Sequence, residues 1–480
     1  MLTRRRFAQL GAMTSASLVL RSGTGAQMAM PNGQAAASTP LAPPIPANAA
    51  AADFVLEIAP YVLEASPKHR FQTIAYNGQV PGPLLRMKQG REYSVAIHNH
   101  SADPEIVHWH GLFLPPAVDG AMEEGSPMIA PGASTRIAIT PDPAGFRWFH
   151  THTFAGSDFR KGQYTGQHGF LIVDAATPSE DSKLYAREVF LALHDWGGRE
   201  MPSGDGSAMP MYDVATINGK MLGFGEPVRV KRGERVMMHV LNSSPTEVHW
   251  VALAGHSFLV VAMDGNAVPQ RRTVPMLRLA PAERVSAIVE MNAPGVWVMG
   301  EVRRHVQAMG MGIAVEYANA TGAPKWTQPE ELVWDYAQFA GPAPAGIDTR
   351  IEPAIDDAAI EIPLTFDSKF EGHGNPEIWR INGKSYPDVE SPPLHAGQRY
   401  RLVMKNLSTD DHPIHLHRHT FEVMNVGGVS MRGLMKDVVL IPAGRTSAVE
   451  FTANNPGNTL FHCHQQDHMD RGFMMVFRYA

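Results

Sequence analysis

A pattern repeated three times constrains this chain more than any other feature. Asn77-Gly78 leads through Gly90-Arg91 to Asn99, Asn218-Gly219 through Gly233-Glu234-Arg235 to Asn242, and Asn382-Gly383 through Gly397-Gln398-Arg399 to Asn406. Each copy reads as a turn, a strand, a second turn and an alternating strand such as Val236–Leu241 or Tyr400–Met404. A second block follows in every copy: Ala130-Pro131-Gly132 to Ala144-Gly145, Ala280-Pro281-Ala282 to Pro294-Gly295, and Ile441-Pro442-Ala443-Gly444 to Pro456-Gly457. Repetition on this scale implies three similar domains, and 480 residues accommodate three cores where one would be too large. With 43 Gly, 38 Pro and only 18% charged residues, the chain suits short strands joined by turns. The expected fold class is therefore all-β, with three Greek-key β-sandwich domains of antiparallel strands at residues 53–176, 184–318 and 354–480. A linker from Ala318 to Arg350 is expected to carry a short helix around Pro329–Phe339.

The amino terminus is set apart from this repeat. Thr3-Arg4-Arg5-Arg6-Phe7, a mildly apolar stretch to Leu20 and small residues to Ala26 resemble a twin-arginine signal over residues 1–26, implying export to the periplasm or beyond. Residues 27–52, rich in Ala, Pro and Ser, are expected to form a disordered lead-in. No later apolar run reaches the roughly 18 residues that span a bilayer. The net charge of -6 lacks the basic excess of a nucleic-acid binder, so nucleic acid is not an expected partner.

Histidines recur at two places in the first and third copies only. His108-Trp109-His110 and His415-Leu416-His417 follow the first block, and His150-Thr151-His152 and His462-Cys463-His464 follow the second. In the middle copy His249-Trp250-Val251 and Val298-Met299-Gly300-Glu301-Val302 stand instead, so that copy is expected to be a spacer without metal. On a strand, residues i and i+2 share a face, so each His-X-His presents two imidazoles side by side. Eight imidazoles from the terminal domains converging on one another describe a metal cluster, although imidazole alone does not choose among copper, zinc, iron and nickel.

Cys463, the single cysteine, narrows the choice. It lies between His462 and His464 and so faces away from their cluster. His412, three residues before His415, has the same opposite parity, and His468 follows four residues after His464. Two imidazoles and one thiolate make the donor set of a trigonal blue-copper site. The peptide bonds of Cys463 join that site to the cluster by a short covalent route.

At these residues the chain resembles the multicopper oxidases, the group that includes laccases, bilirubin oxidases and bacterial cuprous oxidases. The resemblance covers about residues 53–480 and implies cupredoxin-like domains and four copper ions. His412, Cys463 and His468 would bind the type 1 ion, His108 and His415 the type 2 ion, and His110, His150, His152, His417, His462 and His464 the type 3 pair. It further implies a catalytic role for Cys463 in passing electrons inward, and for Asp119 as the acid that helps deliver protons while O2 is reduced to water. Where many relatives place an acid directly after the last type 1 histidine, this chain has Met469. The axial position of type 1 copper falls on Phe473, which has no donor atom, with Met474 expected to face the other way.

A small reducing substrate is expected at the type 1 site of a monomer, with His468 and Asp213 as substrate-binding residues, the latter similar in position to the phenol-orienting acid of fungal laccases. Asp411, beside His412, reads as a solvated loop acid. Phenolic or aromatic oxidation is the leading expectation. Oxidation of Cu(I) or Fe(II) is the alternative, supported by Met424, Met431, Met435, Met469, Met474 and Met475, since thioethers select Cu(I). A copper carrier without turnover would need no O2-reducing cluster.

Overall fold

The computed structural model describes residues 40–46, 49–177, 183–202, 208–341, 359–370 and 377–480. The expected twin-arginine signal, residues 1–26, lies outside them. Of the lead-in expected to be disordered, residues 40–46 are instead tied to the first domain, with the Ala42 N–H donating to the Met128 carbonyl and the Met128 N–H to that of Pro40. Among the described residues, no helix is long and apolar enough to cross a membrane.

The architecture is three β-sandwiches. In the first, the sheet His69–Tyr76, Phe54–Ser66, Tyr93–Asn99, Ser134–Ile139 faces the sheet Leu85–Lys88, His168–Asp174, Gly145–Thr151, Val107–His108. The second pairs a six-stranded with a five-stranded sheet, the third a six-stranded with a four-stranded one. Contrary to the expectation of antiparallel strands, the sheets are mixed. In every copy the first strand runs parallel to the strand after the second turn, Phe54–Ser66 with Tyr93–Asn99, Arg187–Trp196 with Arg235–Asn242, and Ile360–Lys369 with Arg399–Asn406.

The repeated residues explain why the copies fold alike. Asn77, Asn218 and Asn382 take φ of 53°, 52° and 52°, followed by a glycine also at positive φ, the backbone that lets a two-residue turn follow the twist of its strands. Each asparagine amide also clips the strand before it. Asn77 Oδ1 accepts from Glu57 N, Asn218 Oδ1 from Ala192 N and Asn382 Oδ1 from Thr365 N. Asn99, Asn242 and Asn406 form a second clip: their amide groups donate to carbonyls of Ile129, Leu279 and Ile441, which fixes the segment entering each inner strand. In the linker, the short helix is a single 3-10 turn, Tyr336–Phe339, whose start is capped by the Asp335 carboxylate accepting from Ala337 N.

Candidate metal centre

Register between inner strands decides which side chains meet. His108 lies opposite His150 in the first domain, and His415 opposite His462 in the third, so the near members of the four pairs face each other two by two. The far members, His110, His152, His417 and His464, follow two residues on. The eight rings segregate into His110, His150 and His464, then His152, His417 and His462, with His108 and His415 left as a pair beside His110. Rings of the two domains stack: centroids lie 4.0 Å apart for His108 and His417 and 3.8 Å for His110 and His415.

The nitrogen inventory fits metal ions. The Nδ1–H groups of His108, His150, His415 and His462 donate to the carbonyls of Asp119, Thr151, Asp437 and Cys463, at 2.9, 2.8, 2.7 and 2.9 Å. Such bonds fix each ring and leave Nε2 as the lone pair. Nε2 of His108, His150 and His415, Nδ1 of His110 and both nitrogens of His152 and His464 are buried without a partner. So many orphaned buried nitrogens would be costly unless cations take them up. Burial first, and then the neighbouring rings, hold His110, His150, His152, His417, His462 and His464 well below the usual histidine range, which keeps them in the neutral, ligating form.

His412, Cys463 and His468 form a separate group on the other side of the strand Thr459–Cys463. His412 Nδ1 and His468 Nδ1 are 3.2 Å apart, and Cys463 Sγ lies 3.8 and 3.6 Å from them. The one-turn helix Gln466–Asp470 carries His468 back toward the sulfur, and the Trp379 ring lies 4.0 Å from it. Burial pushes the Cys463 thiol well up from its ordinary range, so only a coordinated cation would hold it as thiolate. Phe473 is fully buried with its ring 4.7 Å from His412, in the same apolar cluster as Cys463. Met474 packs instead with Ala121, Leu460 and Met469, on the other face as the strand parity requires.

Asp119 ends the short helix Pro116–Asp119 and is fully buried. Its Oδ2 lies 2.8 Å from His417 Nδ1 and 3.1 Å from His108 Nδ1, bridging the two domains. Gly120 makes this approach possible: at φ 95°, a Cβ there would lie 1.9 Å from the Val107 carbonyl oxygen. Asp213, in contrast, is exposed and ion-paired with Arg199, and Asp411 pairs with Arg278 at 3.3 Å while accepting from Ala443 N.

Several residues of the site carry no sequence signal. Glu124 is buried 3.6 Å from His417 Nδ1 and accepts from Leu460 N at 2.6 Å, and burial followed by the Asp119 charge pushes its carboxyl well up. Asp437 lies 3.1 Å from His110 Nε2. Asp467 lies 3.9 Å from His468 Nε2 with Oδ1 unpartnered. These acids follow no repeat, and contacts between domains bring Glu124 to His417 and Asp437 to His110.

The middle copy aligns differently from the reading by its His-Trp pair. His249 lies opposite Leu279 as His412 lies opposite Ile441 and Glu105 opposite Ile129, so His249 takes the place of His412 and not that of His108. Two residues beyond these, Val107, Val251 and Ile414 face Thr151, Glu301 and Cys463. The cluster positions of the middle copy are accordingly Ala252, Ala254, Gly300 and Val302. Where the third copy has its His-Cys-His group, the first has Glu105 accepting from the Thr151 hydroxyl, and the second has His249 between Asp195 (2.8 Å) and Glu301 (3.1 Å).

Burial alone would lower the His249 pKa, but Asp195 and Glu301 outweigh it and raise it to about 10. A raised folded pKa means that the triad's contribution is full below the unfolded value near 6.5 and is lost as pH rises through 10. Replacing His249 by Leu leaves two buried carboxylates facing an apolar side chain, with Arg303 still on Glu301. Thermal unfolding should show a loss of about 3 to 5 kcal/mol at pH 7, the usual cost of breaking a buried ion pair. The dependence of Tm on pH between 7 and 10 should flatten in the variant; an unchanged slope would mean that His249 is not the titrating group.

Family models described as multicopper oxidase match residues 61–178, 188–318 and 361–480. The chain is 28% identical over 438 residues to Multicopper oxidase MmcO from Mycobacterium tuberculosis, covering 83% of this chain and 82% of that protein. It is 25% identical over 468 residues to Laccase-1 from Fomitopsis schrenkii, with 84% and 82% covered. Among solved structures, a multi-copper oxidase from Pseudomonas Thermotolerans superposes with a TM-score of 0.71 at 24% identity, covering 90% of this chain and all of that one.

Proposed function

The chain belongs to the multicopper oxidases, copper-dependent enzymes that pass electrons from reducing substrates to O2, and from that premise we propose a laccase-like oxidase of phenolic and aromatic donors. The observation that carries it is the joint presence of eight mutually facing cluster imidazoles and a separate buried His-Cys-His group one residue away. Four copper ions would be held: type 1 by His412, Cys463 and His468, type 2 by His108 and His415, and one type 3 ion by each three-histidine group. When bound, copper supplies the redox chemistry, accepting single electrons from the donor and delivering four to O2, which with four protons becomes two waters.

The chain's own residues shape the path. His468 is 6% exposed against 0% for His412 and Cys463, so a donor approaches along the His468 ring. Asp467 is better placed than Asp213 to accept the proton that a phenol releases there, being 3.9 Å from His468 Nε2. Electrons pass inward from Cys463 through its peptide bonds to His462 and His464. Asp119 orients His417 and keeps Oδ1 free of other partners, and Glu124 stands behind it as the second proton group that Met469 cannot be.

A second reading, oxidation of Cu(I), draws on a different set of methionines from the six near the type 1 motifs, all of which are buried. Met201 and Met211 are exposed on a hairpin whose Glu200 pairs at 3.0 Å with Arg471, three residues beyond His468. Comparing kcat/KM for Cu(I) and a dimethoxyphenol on one copper-loaded preparation decides the order. A large preference for Cu(I), lost in Met201→Leu with Met211→Leu, would reverse it. The monomer is proposed to be exported by the twin-arginine route, and Arg4→Lys with Arg5→Lys should retain it in the cytoplasm.

Phe473, buried beside His412 and Cys463, has no donor atom, so a type 1 ion held there would have only His412, Cys463 and His468 as ligands and a high reduction potential. Phe473→Met should lower that potential by at least about 59 mV, the shift that a tenfold gain in relative affinity for Cu(II) produces in a one-electron couple. Redox titration of the blue band measures it, and an unchanged potential would show that another residue already coordinates.

A further inference from the structure

Expected from its missing histidine pairs to be a spacer, the middle domain reaches the cluster by another means. Asp437, of the third domain, sits where all three domains meet. Arg284, of the middle domain, grips both its oxygens, Nη1 to Oδ1 at 2.5 Å and Nη2 to Oδ2 at 2.6 Å. Arg147, of the first domain, lies 3.5 Å from Oδ2 and donates to the Asp264 carbonyl at 2.5 Å. From the middle domain, Asp264 Oδ2 accepts from the backbone of Val438 at 3.2 Å, lies 3.4 Å from Asp437 N and pairs with Lys436 at 2.9 Å. All these side chains are buried.

Asp437 in turn touches one cluster histidine from each terminal domain. Its Oδ1 accepts from His110 Nε2 at 3.1 Å, which leaves the orphaned Nδ1 of His110 as the lone pair. Its backbone carbonyl accepts from His415 Nδ1 at 2.7 Å, which leaves Nε2 of His415. The chain makes room for this arrangement: Gly111, directly after His110, has φ 84°, and a Cβ there would lie 2.7 Å from Asp437 Oδ2 and 2.9 Å from Arg284 Nη2. A bidentate guanidinium fixes a carboxylate's plane as well as its position. The grip on Asp437 therefore sets the tautomer and direction of a ring on either side of the domain contact.

We propose that Arg284 and Asp264 of the copper-free middle domain are positioning residues for the cluster, acting through Asp437 on His415 of the two-histidine site and on His110 of the three-histidine group beside it. The inference rests on the copper assignment proposed above. Outer partners of metal-bound histidines typically change affinity or activity by about 10- to 100-fold. His412, Cys463 and His468 touch none of these groups, so the effect is confined to the cluster.

The test uses the copper-loaded protein. In Arg284→Gln the electron paramagnetic resonance signal of type 2 copper should change its hyperfine splitting, and chelator titration should show that ion held about 10- to 100-fold more weakly. The blue band and the type 1 signal should stay as in the wild type. Arg284→Lys, which keeps the charge but not the fork, should recover part of the affinity. Glu283→Gln, which breaks the Lys436 pair at the same junction without touching Asp437, should leave the type 2 signal unmoved. A folded Arg284→Gln with wild-type type 2 parameters overturns the proposal, as does a Glu283→Gln that shifts them equally. If Arg284→Gln does not accumulate, Arg284→Lys decides by the same signal. A wild-type protein without any type 2 signal overturns the copper reading itself, and this inference with it.

Discussion

Cys463→Ser is expected to abolish both the intense blue absorption and donor-driven O2 uptake. The sulfur lies between two imidazoles at 3.6 and 3.8 Å, is fully buried, and is the only soft donor of its group. A serine hydroxyl remains protonated at neutral pH and cannot supply the covalent thiolate bond that gives the colour and carries the electron. The loss of turnover should exceed the roughly 100-fold that outer partners cost, since a ligand itself is removed. His462 and His464 point to the opposite face, so the cluster should still load. Optical spectra, metal analysis and oxygen uptake on one preparation measure all three, and normal turnover in the variant would show the assignment of Cys463 to be wrong.

His108→Ala is expected to separate colour from catalysis. Nε2 of His108 is buried without a partner, its Nδ1 is held by the Asp119 carbonyl at 2.9 Å, and its ring stacks on His417. Removing it takes one of the two imidazoles from the pair it forms with His415 and deprives Asp119 of its partner ring in the first domain. O2 reduction should fall by more than about 100-fold on the same reasoning. The blue band should persist, because His412, Cys463 and His468 lie on the other side of their strand. A variant that lost the band and kept O2 reduction would contradict the assignment of faces on which the whole site rests.

The metal centre was largely legible in the sequence because strand parity is strictly local. His462, Cys463 and His464 alternate faces whatever else the chain does, and the Asn-Gly turns mark where each copy begins. The same locality misled in the middle copy, where His249-Trp250 resembles His108-Trp109 but strand register matches His249 to His412 and Glu105. A three-residue displacement is invisible to a motif, whereas a ladder of hydrogen bonds cannot tolerate it. The methionines near the type 1 motifs support the Cu(I) alternative in sequence, and all six are buried. Met201 and Met211, far from those motifs along the chain, are exposed, because exposure is a property of packing.

By itself, then, the chain determined three sandwiches, four histidine pairs and one lone thiol between two of the histidines, since turn chemistry and a period of two act over a few residues. Only the tertiary structure decided which rings share a site, that Asp119 bridges His108 and His417, and that Arg284 holds Asp437 against His110. Apart from that of Asp119 with His108, those contacts join residues more than 100 positions apart. They depend on how three domains dock, and buried charges are held at such a junction only when each finds its counter-charge on another domain.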